Sequence, residues 1–106
     1  EPTENFLISI AEGAATEGNP SYVPNNPKIT LTIDNHVIWM NDDMTPHTVT
    51  ADHRHSDSYS GEFGSAGVVM PGDAYEFIFT EPQELHYHCD PHPWMTGSLI
   101  VEKSRF

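Results

Sequence analysis

The single cysteine of this 106-residue chain stands in the stretch HCDPHPWMTG (88–97), with His92 three residues after Cys89 and Met95 three residues after that. A loop that turns about once every three residues would aim all three side chains at one centre. Pro91 and Pro93 lie between them, fixing φ and removing two backbone N–H groups, so the loop is stiff and poor in donors. A thiolate, an imidazole and a thioether are soft or borderline ligands, better suited to Cu(I) and Cu(II) than to magnesium, calcium or manganese.

A second imidazole would complete a trigonal His₂Cys set with a weak axial Met, the donor set of a type 1 copper centre. The candidates are His36, His47, His53, His55, His86 and His88. His47 is the best placed, because it follows Pro46 at the loop-to-strand junction of MTPHTVT, where a side chain can point off the end of a sheet. A folded sandwich must bring it back across the intervening chain to Cys89. Cys-x-x-His alone is a fragment of many zinc patterns, but a structural zinc site wants four strong ligands and Met is a poor one.

The elements that must position these residues are strands. Seven glycines and nine prolines separate short apolar runs, and no run approaches the roughly 18 residues of a membrane helix. NFLISIAEG (5–13) reads as an edge strand. Lys28 to Ile33 and His36 to Asn41 alternate in hydrophobicity and are joined by Asp34-Asn35, a hairpin signal. HTVTAD (47–52), AYEFIFT (74–80), LHYHC (85–89) and TGSLIVEK (96–103) supply further strands, and 53–67 reads as a long loop with one weak strand near Ser60 to Phe63. The pattern predicts an all-β, antiparallel Greek-key sandwich of seven or eight strands, with residues 1–106 forming a single domain. Alternation places Leu85, Tyr87 and Cys89 on one face, against His86 and His88, and so predicts a buried thiol.

Sixteen Asp and Glu against four Lys and Arg make nucleic acid or an anionic membrane an unsuitable partner. A lone cysteine forms no internal disulfide, and the opening Glu1-Pro2-Thr3 suggests a processed or trimmed N-terminus. Trp39 is expected in the core and Tyr87 beside the ligand strand. Met40, Met44 and Met70 read as core or loop packing, the other reading for Met44 being a place at the rim of the metal pocket. The pairs His53/His55 and His86/His88 read as polar surface, the other reading being a second metal site if loop and strand meet.

YHCDPHPWMTGSLIVE and IWMNDDMTPHTVT resemble the two ligand segments of the cupredoxins, the small blue copper proteins, over about residues 22 to 103. The ligand loop is most similar to that of the amicyanin type, with plastocyanin and pseudoazurin more distant. The resemblance implies one copper per chain, held by His47, Cys89 and His92 in a plane with Met95 axial. Two features depart from the pattern: Thr48 stands where many plastocyanin-like proteins have an Asn that ties the ligand segments together, and the acidic, His-bearing segment 53–67 is unlike other members.

The expected function is one-electron transfer between redox proteins, docking near Pro46, Pro91, Pro93 and Trp94, at an extracytoplasmic location (periplasmic, pseudo-periplasmic or cell surface). The alternative is small-molecule redox chemistry or sensing, for example of nitric oxide or nitrite, at a copper open to solvent. Copper delivery ranks last, since a rigid trigonal site holds its metal.

Overall fold

The computed structural model describes residues 5–65 and 67–103, so the N-terminal Glu1-Pro2-Thr3 lies outside the described residues. Ten strands follow one another: β1 (Asn5–Ile10), β2 (Tyr22–Val23), β3 (Lys28–Thr30), β4 (His36–Asn41), β5 (Thr50–Ala51), β6 (Ser56–Asp57), β7 (Gly61–Glu62), β8 (Ala74–Ile78), β9 (Gln83–His88) and β10 (Thr96–Glu102). They form two four-stranded sheets, ordered β2-β1-β4-β8 and β3-β10-β9-β5, and a small β6-β7 hairpin. The all-β sandwich is as the alternation predicted. The count exceeds seven or eight because four two-residue pieces, too short to show a period, pair within segments that read as loops or longer strands.

Three details differ from expectation. The sheets are mixed rather than antiparallel, since β1 runs parallel to β4 and β3 parallel to β10. Parallel pairing needs a crossover, and the chain supplies one by leaving the first sheet after β2, visiting the second as β3 and returning as β4. For the same reason β3 and β4 are not a hairpin. The N–H groups of Ile33 and Asp34 both donate to the Thr30 carbonyl, and Thr30 N–H donates to the Asp34 side chain, so the Asx-rich stretch turns the chain between sheets. Nor is β1 an edge, because Tyr22–Val23 pairs with Ser9–Ile10 and covers its free side.

Side chains from both sheets meet in one core that includes Ile8, Ile10, Val37, Trp39, Phe77, Leu85, Tyr87, Leu99 and Val101. Trp39 is fully buried, and its ring meets Phe63 at 5.4 Å and Tyr87 at 5.6 Å between centroids. Phe63 pins the acidic 53–67 segment to the core, with Phe77 5.2 Å away. Gly97 sits opposite Tyr87 in the β9–β10 ladder, where a Cβ would come within 2.7 Å of the Tyr87 ring; only glycine lets the ring lie there.

One end of the sandwich gathers the strand ends that matter. β4 and β9 leave there, β5 and β10 enter there, and Asp42 N–H donates to the Ile10 carbonyl at the end of β1. Cys89 directly follows β9, Met95 directly precedes β10, and His47 forms an isolated bridge with Val69 between β4 and β5.

Candidate metal centre

Cys89 is fully buried, as the alternation of β9 required. The loop behind it closes in two tight turns: His92 N–H donates to the Cys89 carbonyl (3.1 Å) and Met95 N–H to the His92 carbonyl (2.9 Å). Cys89 N–H donates to the Met95 carbonyl (3.2 Å), which locks the loop's two ends together. Met95 is fully buried and His92 half-buried, while Pro91, Pro93 and Trp94 stand exposed.

Cys89 Sγ lies 3.5 Å from His47 Nδ1 and 3.4 Å from His92 Nδ1. All three donor atoms fall within 4.8 Å of one another. Three donors around one ion at about 2.0–2.3 Å would stand roughly 3.5–4 Å apart, and the two sulfur-to-nitrogen separations match that spacing. Among the described residues this is the one group of three His, Cys, Asp or Glu side chains so arranged. The other histidines are placed elsewhere: His36 pairs with Glu76 at 2.8 Å, His86 with Glu84 at 3.5 Å, and His88 is held on both ring nitrogens by Asp52 (2.5 Å) and Asp90 (3.0 Å). His53 is exposed and His55 half-buried, and the two His-x-His pairs assemble no second cluster among the described residues.

Thr48 does the tying that an Asn does elsewhere. Its Oγ1 accepts from Asp90 N–H (2.9 Å), joining the His47 segment to the cysteine loop. Its own N–H donates to Cys89 Sγ at 3.4 Å, and its carbonyl accepts from the buried Tyr22 hydroxyl at 2.8 Å. Burial first, then the negative groups around it, raise the Tyr22 pKa, so this hydroxyl stays a donor. The Thr48 N–H contact holds the sulfur against the His47 segment.

Asp43 carries a role that the sequence reading missed. Its Oδ2 lies 2.7 Å from His47 Nε2, and both side chains are buried. Its Oδ1 accepts from Gly13 N–H (3.0 Å) and Met44 N–H (2.8 Å). Burial would raise the carboxyl pKa, but the hydrogen bonds from His47, Gly13 and Met44 outweigh it and bring it down to about 2. With a carboxylate at Nε2, that nitrogen carries the proton and Nδ1 offers its lone pair toward Cys89.

Met44 is 84 % exposed, and Val68 and Met70 are exposed beside the buried Val69 that bridges to His47. Met40 is exposed as well, so none of these methionines is core.

The plastocyanin/azurin family of copper-binding proteins has a sequence profile that matches residues 11–102. The chain belongs to this family. Its cofactor is therefore copper, one ion per chain, and the fold is that of a cupredoxin. The match begins earlier than the resemblance read from the ligand segments. Amicyanin of Paracoccus denitrificans is 31% identical over 94 residues, which cover 88% of this chain and 69% of the relative. Amicyanin of Paracoccus versutus is 35% identical over 77 residues, covering 72% of this chain and 55% of that one. Among solved structures, a purple cupredoxin from Nitrosopumilus maritimus superposes with a TM-score of 0.74 at 29% identity, over 92% of this chain and 99% of the other. At the level of the family, this cupredoxin is a type 1 copper electron carrier.

Proposed function

We propose that His47 Nδ1, Cys89 Sγ, His92 Nδ1 and the Met95 thioether would hold the copper, and that the protein carries single electrons between redox proteins. The observation that carries this reading is a buried cysteine sulfur standing 3.4–3.5 Å from two imidazole nitrogens that arrive from separate segments. Copper supplies the one-electron chemistry when bound. The chain's own residues hold the donors in place: Thr48 fixes the sulfur, Asp43 fixes the His47 ring, and the two closed turns fix His92 and Met95. Little would then rearrange between oxidation states. The shared core supports reading residues 1–106 as a single domain.

The docking face in this reading is the apolar rim of Pro46, Pro91, Pro93 and Trp94, which Met44, Val68 and Met70 extend. Transient electron-transfer contacts need only small interfaces. An extracytoplasmic location follows the habit of the family, and no helix among the described residues is long and apolar enough to cross a membrane. As an electron-transfer protein it needs no catalytic residue. Nitric oxide or nitrite chemistry at the copper is the competing use.

Two measurements on the copper-loaded protein decide between them. A visible spectrum unchanged by azide, nitrite or nitric oxide, together with a fivefold or greater slowing of electron exchange with its redox partner in Trp94→Asp, supports the carrier. A spectrum that shifts with these molecules, or an exchange rate indifferent to Trp94→Asp, contradicts it.

A further inference from the structure

We propose that Asp43 is the positioning residue that sets the reduction potential of the copper centre, with the loop from Ala11 to Asn19 serving as the strap that meters its charge. The inference rests on the ligand reading above and assigns a role to residues outside the ligand set.

The Asp43 carboxylate is buried against a ring that is itself buried, 2.7 Å from Nε2. Only four Lys and Arg occur in the chain, and among the described residues the one ion-pair partner of Asp43 is His47. Among the described residues no lysine or arginine therefore stands against this negative charge, and its burial leaves it little screened by solvent. A negative charge acting through an imidazole favours the more positive oxidation state of the metal, so Asp43 lowers the potential.

The strap fixes how much of that charge reaches His47. Gly13 N–H takes one share of the carboxylate through Oδ1. The neighbouring Ala14 is fully buried, and its carbonyl accepts from the Trp94 indole N–H at 3.3 Å, so the same loop is fastened to the cysteine loop on the other side of the centre. Gly13 has φ +86°, a Cβ on it would meet Asn19 Nδ2 at 3.0 Å, and Asn19 Nδ2 already donates to the Gly13 carbonyl (3.1 Å). Substitution there strains the strap without touching the carboxylate. Asn41 completes the support by accepting from Asp43 N–H at 2.9 Å through its side chain.

The test compares copper-loaded wild type, Asp43→Asn, Gly13→Ala and, as a control for a nearby exposed charge, Asp42→Asn. The potential of Asp43→Asn is expected to rise by the equivalent of a tenfold or larger shift in the Cu(II)/Cu(I) ratio, about 59 mV. Gly13→Ala, which weakens the competing donor, is expected to move it at least twofold in the opposite direction, and Asp42→Asn less than twofold. In the Cu(I) protein the His47 Nε2–H, followed by NMR, should exchange with solvent at least tenfold faster in Asp43→Asn. An intact thiolate-to-copper band with a potential within twofold of wild type in Asp43→Asn overturns the inference, as does an equal shift in Asp42→Asn. If Asp43→Asn does not fold, Gly13→Ala decides: a lowered potential supports the role and an unchanged one overturns it. Absence of the band from wild type itself would sink the ligand reading and this inference together, a result distinct from the others.

Discussion

Thr48 concentrates three contacts that bear on the copper end: its N–H on the cysteine sulfur, its hydroxyl under Asp90 N–H and its carbonyl under the Tyr22 hydroxyl. Thr48→Val keeps the shape and both backbone contacts but leaves Asp90 N–H without its acceptor, which costs about 1–3 kcal/mol. Denaturant unfolding of the copper-free protein should show that loss, while the copper-loaded variant keeps its colour. At this scale the sequence was informative where covalent spacing fixes geometry. Cys89, His92 and Met95 lie within seven residues, and alternation along β9 sufficed to bury the thiol. Asp43 was illegible for the opposite reason. In DDMTP it looks like any solvated loop acid, and only folding brings Gly13 and the His47 ring onto its two oxygens. The one available signal was its i, i+4 spacing from His47. Met40 shows the same limit, since chemistry alone does not say that this strand residue faces outward.

At the scale of elements, periodicity located the strands but not their partners. The stretch from Lys28 to Asn41 has the pattern of a hairpin, yet Asp34 folds back on Thr30 and sends the next strand to the other sheet. Local sequence does not encode which sheet a strand joins. The 53–67 segment shows the same limit: its Ser, Gly and Asp content reads as loop, whereas Phe63 and Asp57 anchor it. Asp57 is buried and accepts from Thr80 N–H (2.6 Å), Thr80 Oγ1 (2.7 Å), Tyr59 N–H (2.9 Å) and Ser60 N–H (3.2 Å), tying the β6–β7 hairpin to the end of β8. Burial would raise its pKa, but these four bonds together hold it below the ordinary carboxylate value. A folded-state pKa below the unfolded one means that the stability Asp57 contributes is present above the unfolded value, near 4, and fades as pH falls through the lower folded value. Asp57→Asn should therefore cost about 1–3 kcal/mol at pH 7, and the difference from wild type should shrink below pH 4, as read from denaturant unfolding across pH.

At the scale of the molecule, two mixed sheets converge on one end, and there the chain places a buried sulfur, two imidazoles, a buried methionine and an exposed apolar rim. The fold was legible as an all-β sandwich because strands facing a shared core must alternate; its parallel pairs were not, because they depend on crossovers set by the whole chain. The central claim is that the Cys89 thiolate is bonded to the one copper of the chain. Visible and electron paramagnetic resonance spectra of wild type and Cys89→Ser, each titrated with cupric salt, test it most directly. The prediction is an intense sulfur-to-Cu(II) absorption in wild type that saturates at one equivalent and is absent from Cys89→Ser. A colourless wild-type protein, or the same absorption in both, would contradict it.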